Sequence, residues 1–381
     1  MTVEPEPTEL ESEPDALVPD DEEVADIDEA LEVIPTRYAI TSYGADFPVD
    51  GLVSRLEKGA ILVPSFNPEI STASGIVGFQ RDFVWSKSQA DRFIESLLLG
   101  LPVPGVFLVS EPDNTLLVLD GQQRLRSLQA FYAGVFRGKE FRLQYVQGEF
   151  KGLTYRDLAP EQQRLLDDSI IHATIVRQDE PSEDQSAIYS IFERLNTGGT
   201  LLQPQEIRVA LYHGDLVRLL RDLNENESWR NLYGNRSNRL KDQEMILRFF
   251  AFYTDWQSYR KPMKEFLNGF MARYRNPTPA DAARFQRIFE QTVDAIHGGI
   301  GTRAFRLGTA VNAAVVDSLM VSVAERLEGG EAIMYPGDLQ PAYEQLMGDT
   351  EYRSAVERAT ADEESVKVRF EKAHAAVAGV T

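Results

Sequence analysis

Along the chain the spacing of apolar residues changes character once. Up to about residue 177, short apolar runs of strand length alternate with stretches of helical period; after residue 183 the helical period takes over. In the first part, residues 88–99 carry Phe93, Ile94, Leu97 and Leu98 on one side and end at Gly100, which predicts a helix. The runs at 106–110 and 115–119 are separated by Pro112-Asp113-Asn114, a turn signal, and predict a hairpin. Residues 122–133 predict a second helix, with Leu125, Leu128, Phe131 and Tyr132 inward and Gly134 as its stop. Residues 141–146 and 170–177 are further expected strands. Helices are then expected at 183–195, 204–212, 242–253, 259–274, 280–297, 310–328 and 363–376. The predicted fold class is α+β: a small mixed α/β domain over 37–200, then a mostly helical domain over 201–381, with the boundary between Asp179 and Gly214.

Composition adds three limits. A chain of 381 residues with 43% hydrophobic content can bury a sizeable core. The absence of cysteine excludes disulfides and thiolate metal sites. No apolar run approaches the ~20 residues a membrane span needs, and the first residues are acidic, unlike a signal peptide, so no membrane association and a cytoplasmic location are expected. The net charge of −21 is concentrated at one end: residues 1–36 hold fourteen acids and no Lys or Arg, leaving about −7 for the rest. That segment, rich in Glu, Asp and Pro and free of aromatics over residues 1–34, is expected to be a disordered tail. Overall acidity does not exclude nucleic acid, because binding depends on local patches. Residues 218–275 carry twelve Lys/Arg against seven Asp/Glu, a bias that an ordinary solvated helical surface also explains.

Three clusters carry candidate chemistry. In Leu116-Leu117-Val118-Leu119-Asp120-Gly121-Gln122-Gln123-Arg124 a buried strand ends where a helix begins. That geometry aims unpaired backbone N–H groups and the positive helix end at one point, which suits a phosphate. Gly121 admits a ligand to the backbone, Gln122 and Gln123 add donors, and Arg124 can grip a phosphate with two parallel hydrogen bonds. Asp120 can hold Mg²⁺ or orient Arg124; the plainer alternative is a helix start capped by Asp120. In Gly78-Phe79-Gln80-Arg81-Asp82-Phe83-Val84-Trp85, Arg81 is a second candidate phosphate ligand with Trp85 beneath it, or part of an aromatic anchor beside a surface ion pair. In Phe192-Glu193-Arg194-Leu195-Asn196-Thr197-Gly198-Gly199-Thr200, followed by Glu206 and Arg208, a glycine-containing loop joins two helices. Such a loop suits a lid or a phosphate contact, and equally a plain connector.

Taken together, these clusters resemble the N-terminal domain of the GmrSD modification-dependent restriction endonucleases, a domain of the ParB/sulfiredoxin-like group. The likeness runs from Phe79-Gln80-Arg81 through Asp120-Gly121-Gln122-Gln123-Arg124, its most specific part, to the stretch from Arg194 to Arg208, and more weakly over residues 239–248. It implies a ParB-like nucleotide-binding domain over 37–200 that binds NTP (ATP or GTP) with Mg²⁺ and, as in several relatives, hydrolyses it. It also implies a setting in defence against phage or modified DNA, with DNA and a separate nuclease as partners; related domains sense DNA modification and control a nuclease. On that reading Gln80, Arg81, Gly121, Gln122, Gln123 and Arg124 bind phosphates, and Arg194, Asn196 and Glu206 close over them. Asp120 orders the metal or the attacking water, and Glu206 is the second candidate catalytic carboxylate.

Two-domain members of the family carry a nuclease with a His-centred metal site. Here His172, His213, His297 and His374 are scattered and none begins a His-x-x-Pro motif, so no HNH-type nuclease is expected. The chain has no Gly-x-x-x-x-Gly-Lys-Ser/Thr loop, and Gly299-x-Gly301-x-x-Ala304 follows a helical pattern rather than a strand. Three functions remain open from the residues: an NTP-hydrolysing sensor, a non-catalytic module gripping a DNA phosphate, and a nuclease concealed in the ParB-like fold.

The acidic segment offers no apolar face whose burial would offset its ordering entropy. Deleting residues 1–34 is therefore expected to leave the melting temperature nearly unchanged. A fall of more than about 5 °C would show that the segment docks on the folded part.

Overall fold

The computed structural model describes residues 39–63, 85–180, 186–195, 203–237, 239–329 and 339–380. The acidic segment, Gln80, Arg81 and Asn196 lie outside the described residues.

A five-stranded sheet forms the first half. Its order is β1 (Ala39–Pro48), β7 (Ile170–Glu180), β3 (Val106–Ser110), β4 (Leu116–Asp120) and β2 (Ile61–Leu62). The expected hairpin is present as the antiparallel pair β3–β4; β3 runs parallel to β7, β2 runs parallel to β4, and β1 lies antiparallel along β7. Successive side chains on a strand face opposite ways, and here each way leads into a core. Leu108, Val118, Ala173 and Ile175 pack with α1 (Val49–Glu57), α2 (Lys87–Leu98), α3 (Gln122–Ala133) and α4 (Pro160–Asp167). Val109, Leu117, Leu119 and Val176 pack instead with α5 (Ser186–Leu195), α6 (Pro204–Leu211) and the helical half. This explains why β4 reads as an unbroken apolar run.

The fold is α+β, with the sheet near the N-terminus and a mostly helical remainder. The helical half is built around α12 (Ala313–Glu328), every residue of which from Ala313 to Ala324 is buried. It packs against α9 (Lys241–Asp255), α11 (Pro279–Gly299), α14 (Thr350–Glu357) and α15 (Glu363–Val377). Inside it Asp317 accepts from Arg248 (Nε 3.1 Å, Nη2 2.7 Å) and from Arg369 (Nη2 3.0 Å), all three being essentially inaccessible.

Some expectations fail for local reasons. Residues 141–146 bury Phe141 and Leu143 but form no strand, and the chain bends at 145–146. Their backbone donors go elsewhere: the Gln144 and Tyr145 N–H groups bind the buried Asp91 carboxylate of α2, and Leu143 binds Leu153. The helix expected from residue 259 begins at Met263 as α10 (Met263–Arg273), since Pro262 supplies no N–H and biases the preceding residue away from helical backbone. The short helices α7 (Asp215–Leu223), α8 (Glu227–Tyr233) and α4, and the exposed edge strand β1, were not expected. His172, His297 and His374 sit on β7, α11 and α15 and His213 lies between α6 and α7, and among the described residues no group of three or more His, Asp or Glu could hold a metal. No helix among the described residues is long and apolar enough to cross a membrane.

The sheet and the helical half are also joined by charge. Arg275, just after α10, donates to the buried Glu111 beside the β3–β4 turn (3.3 and 3.4 Å). Its Nε donates to the His213 carbonyl (2.8 Å), and its Nη2 lies 3.0 Å from His213 Nε2. Gly214 lets the chains approach, since a Cβ there would fall 2.4 Å from the Arg275 carbonyl oxygen. Burial, and then the Arg275 charge, push the His213 imidazole below its ordinary 6.5, with Glu111 and Asp113 opposing. The folded state thus prefers neutral His213, and the unfolded state binds the extra proton first. Stability from this joint is complete above about pH 6.5 and is expected to fall as the pH drops toward the lowered native value, by at most about 1.4 kcal/mol per pH unit. Urea midpoints measured from pH 7.5 down to 5.5 should show this slope in the wild type and lose it in His213→Asn. An unchanged slope in the variant would assign the pH dependence to other groups.

Candidate functional site

The β4–α3 turn is set by steric necessity. β4 ends at Asp120, Gly121 is the N-cap of α3 with φ 95°, and no side-chain cap bond closes the helix start. Asp120 is therefore not the cap. A Cβ on Gly121 would fall 2.5 Å from Val106 Cγ1 in the neighbouring strand, so both the backbone angle and the contact demand glycine. Arg124, one turn along, folds its guanidinium back over the bare Gly121: Nη2 would lie 3.2 Å from that Cβ and donates to Asp120 Oδ2 at 2.6 Å. Asp120 is half exposed, whereas the Arg124 side chain is only 14% exposed and its buried Nε has no hydrogen-bond partner. An exposed-to-buried pair of this kind contributes little stability, ~1 kcal/mol or less. Its effect is orientation: the guanidinium is held over the buried Gly121, beside the half-exposed Asp120 carboxylate, at the start of a helix.

Gln123 faces a different task. Its Oε1 accepts from the Trp85 N–H at 3.2 Å, tying the segment before α2 to the turn. Trp85 packs edge-on against Phe93 of α2 (centroids 5.6 Å apart), and its carbonyl lies 3.4 Å from Arg137 Nη2. Gln122 stands half-buried in the first turn.

Residues 65–213 match the family model for the GmrSD restriction endonuclease N-terminal domain. Over those residues the chain is similar to the GmrSD N-terminal domain. That description places the domain among components of restriction systems. A comparison with curated proteins gives no match.

The GmrSD stretch brings Asp120, Gly121, Gln123 and Arg124 together, while its far end has a different arrangement. Arg194 is exposed in the last turn of α5. Glu206 is buried at the start of α6, where it accepts from the Gln203 N–H (2.6 Å) and from Arg239 (Nε 3.2 Å, Nη2 2.9 Å). Arg208 is fully buried, pushed down to about 10 by desolvation, and donates to Asn268 (3.0 Å) and Glu244 (3.3 Å). The family match ends before residues 239–248, but two of them, Arg239 and Glu244, are ion-pair partners of Glu206 and Arg208 on α6. Arg126 was missed from the sequence. It lies half-buried on α3, where desolvation lowers it to about 10, and no local pattern distinguishes it from a surface arginine.

Gly121→Ala is expected to destabilise the protein by about 1–3 kcal/mol from crowding against Val106, beyond the ~1–2 kcal/mol left-handed backbone cost. Gly134 supplies the control, since it also has positive φ (77°) but nothing within 4 Å of an added Cβ. Urea denaturation of both variants would measure the difference. Equal losses would mean that Val106 yields and that the turn is not sterically fixed.

Proposed function

We propose that this chain is an NTP-binding, Mg²⁺-dependent NTP-hydrolysing sensor in a restriction or anti-phage system. The observation that carries the reading is the 120–124 turn, where a half-buried guanidinium whose Nε has no hydrogen-bond partner lies over Gly121 at a helix start. A phosphate there would gain charge-assisted hydrogen bonds from Arg124 and the favourable end of the helix. Phosphoryl transfer depends mainly on positioning and charge neutralisation, and these residues supply both. Asp120 is the carboxylate placed to hold Mg²⁺, which binds through one or two carboxylates plus phosphate oxygens and would neutralise developing charge. In this reading Glu206 anchors α6 through Arg239, and Asp120 is the carboxylate nearest the phosphates. DNA and a separate nuclease are the proposed partners, and the cytoplasm the proposed setting.

A second reading has one observation in its favour. Asp120 is already paired with Arg124, so the carboxylate could serve only to aim the guanidinium at a DNA phosphate, without turnover. Release of inorganic phosphate from ATP or GTP, with Asp120→Asn as the control, separates the two.

Arg124→Ala should weaken Mg²⁺–NTP binding tenfold to over a hundredfold, the equivalent of ~1.5–3 kcal/mol for a charge-assisted hydrogen bond. Arg124→Lys should recover only part, because an ammonium keeps the charge without the planar fork. Calorimetric titration of the three folded proteins with ATP and GTP tests this. Equal affinities, or no binding by the wild type, would remove the phosphate site.

A further inference from the structure

Beside the 120–124 turn stands a small hairpin whose features the nucleotide reading leaves unused. Strands β5 (Val135–Phe136) and β6 (Lys139–Glu140) are joined by Arg137 and Gly138, both with positive φ (48° and 74°). Two-residue hairpin turns of this kind favour Asn-Gly, because the first position is strained for a larger side chain. Here an arginine occupies it. The strained residue sets a guanidinium at the tip, 5.6 Å from the Phe136 ring centroid and 3.4 Å from the Trp85 carbonyl.

The segment behind the hairpin is held firmly. Phe136, Phe141 and Leu143 are buried; Asp91, with no exposed surface on its side chain, accepts from the Gln144 and Tyr145 N–H groups and from Lys87. Glu95 accepts from the Gln147 N–H (2.6 Å), and Gly152 donates to the Leu143 carbonyl (2.6 Å), folding the Lys151 turn back against the same strip. What this rigid backing presents outward is basic and aromatic. Residues 135–151 hold Arg137, Lys139, Arg142 and Lys151 against Glu140 and Glu149, in a chain of net charge −21. Arg142 is shared between Glu140 (two bonds) and Asp157 (3.2 Å), so the cations left to the surface are Arg137, Lys139 and Lys151, against Glu149. Lys139 and Lys151 are exposed with no ion-pair partner among the described residues, and Tyr145 is 56% exposed.

We propose that residues 135–151 form a contact surface for the sugar–phosphate backbone of DNA. Positive charge on a rigid support, with an exposed aromatic among it, complements a regular polyanion. The choice of DNA rests on the restriction-system reading above; the charge and rigidity do not depend on it. Through Trp85 the surface adjoins Gln123, so DNA held there lies next to the candidate phosphate turn.

The test uses the full chain without nucleotide, so that failure of nucleotide binding leaves it readable. Fluorescence anisotropy with a labelled random-sequence duplex should show binding that weakens from about 50 to about 200 mM salt. Lys139→Glu with Lys151→Glu should weaken it at least tenfold at the lower salt and reduce the slope of log affinity against log salt by about 2. Lys139→Gln with Lys151→Gln gives a smaller loss and serves if the reversal variant melts early. A second reversal of equal charge, Arg358→Glu with Lys367→Glu on the C-terminal helices, should weaken binding much less. The proposal is overturned if the wild type binds no DNA, if both reversals weaken binding equally, or if the surface binds anionic lipid vesicles in place of DNA.

Discussion

Leu117, Val118 and Leu119 point alternately into two different cores, so β4 has no face left for solvent. β3 beside it and β7 beyond share this condition through Leu108 and Val109, and through Ile175 and Val176. With both faces covered, the centre of the sheet can meet a ligand only where a strand ends. Asp120 is the first exposed residue of β4, and the chain must turn there within one residue to start α3. The glycine, the helix N-terminus and the returning arginine all follow from that turn. The location of the candidate site is a consequence of how the sheet is buried.

The second organising feature is a seam of buried charge. Glu206 pairs with Arg239, Arg208 with Glu244, and Asp317 with both Arg248 and Arg369. Burying ions is costly, and such pairs add little net stability compared with well-packed apolar groups. Removing one member, however, leaves an uncompensated charge in the interior. The seam therefore acts on register: α6 can meet α9, and α12 can meet α9 and α15, in the one arrangement that matches every partner. This bears on how sequence motifs are read. A Glu and an Arg two residues apart near a glycine-containing loop suggest chemistry, yet both side chains are engaged in joining helices.

The site and the hairpin beside it illustrate a related division. Asp120, Gly121 and Arg124 are close in sequence, and one turn of helix is enough to bring them together. Trp85, Gln123 and Arg137 come from three separate segments, and their meeting depends on how α2 and the hairpin pack on the sheet.

Taken alone, the sequence determined whatever rests on local periodicity and local stereochemistry. It gave the β3–β4 hairpin, the bounds of α3 with Gly134 as its stop, most long helices, and the strand-to-helix turn at Asp120 and Gly121. These depend on neighbours within a few residues, where apolar spacing and glycine act directly. The tertiary structure alone decided the fate of groups whose partners are remote. It turned residues 141–146 from a strand into a segment pinned by Asp91, because a buried carboxylate bound their N–H groups more readily than a neighbouring strand. It gave Glu206 to Arg239 and Arg275 to Glu111, and placed β1 at an exposed edge that no apolar alternation announced. The physical reason is common to all of these. A hydrogen bond or ion pair between residues 33 or 164 positions apart leaves no periodic trace in either segment, and only packing determines which donor reaches which acceptor.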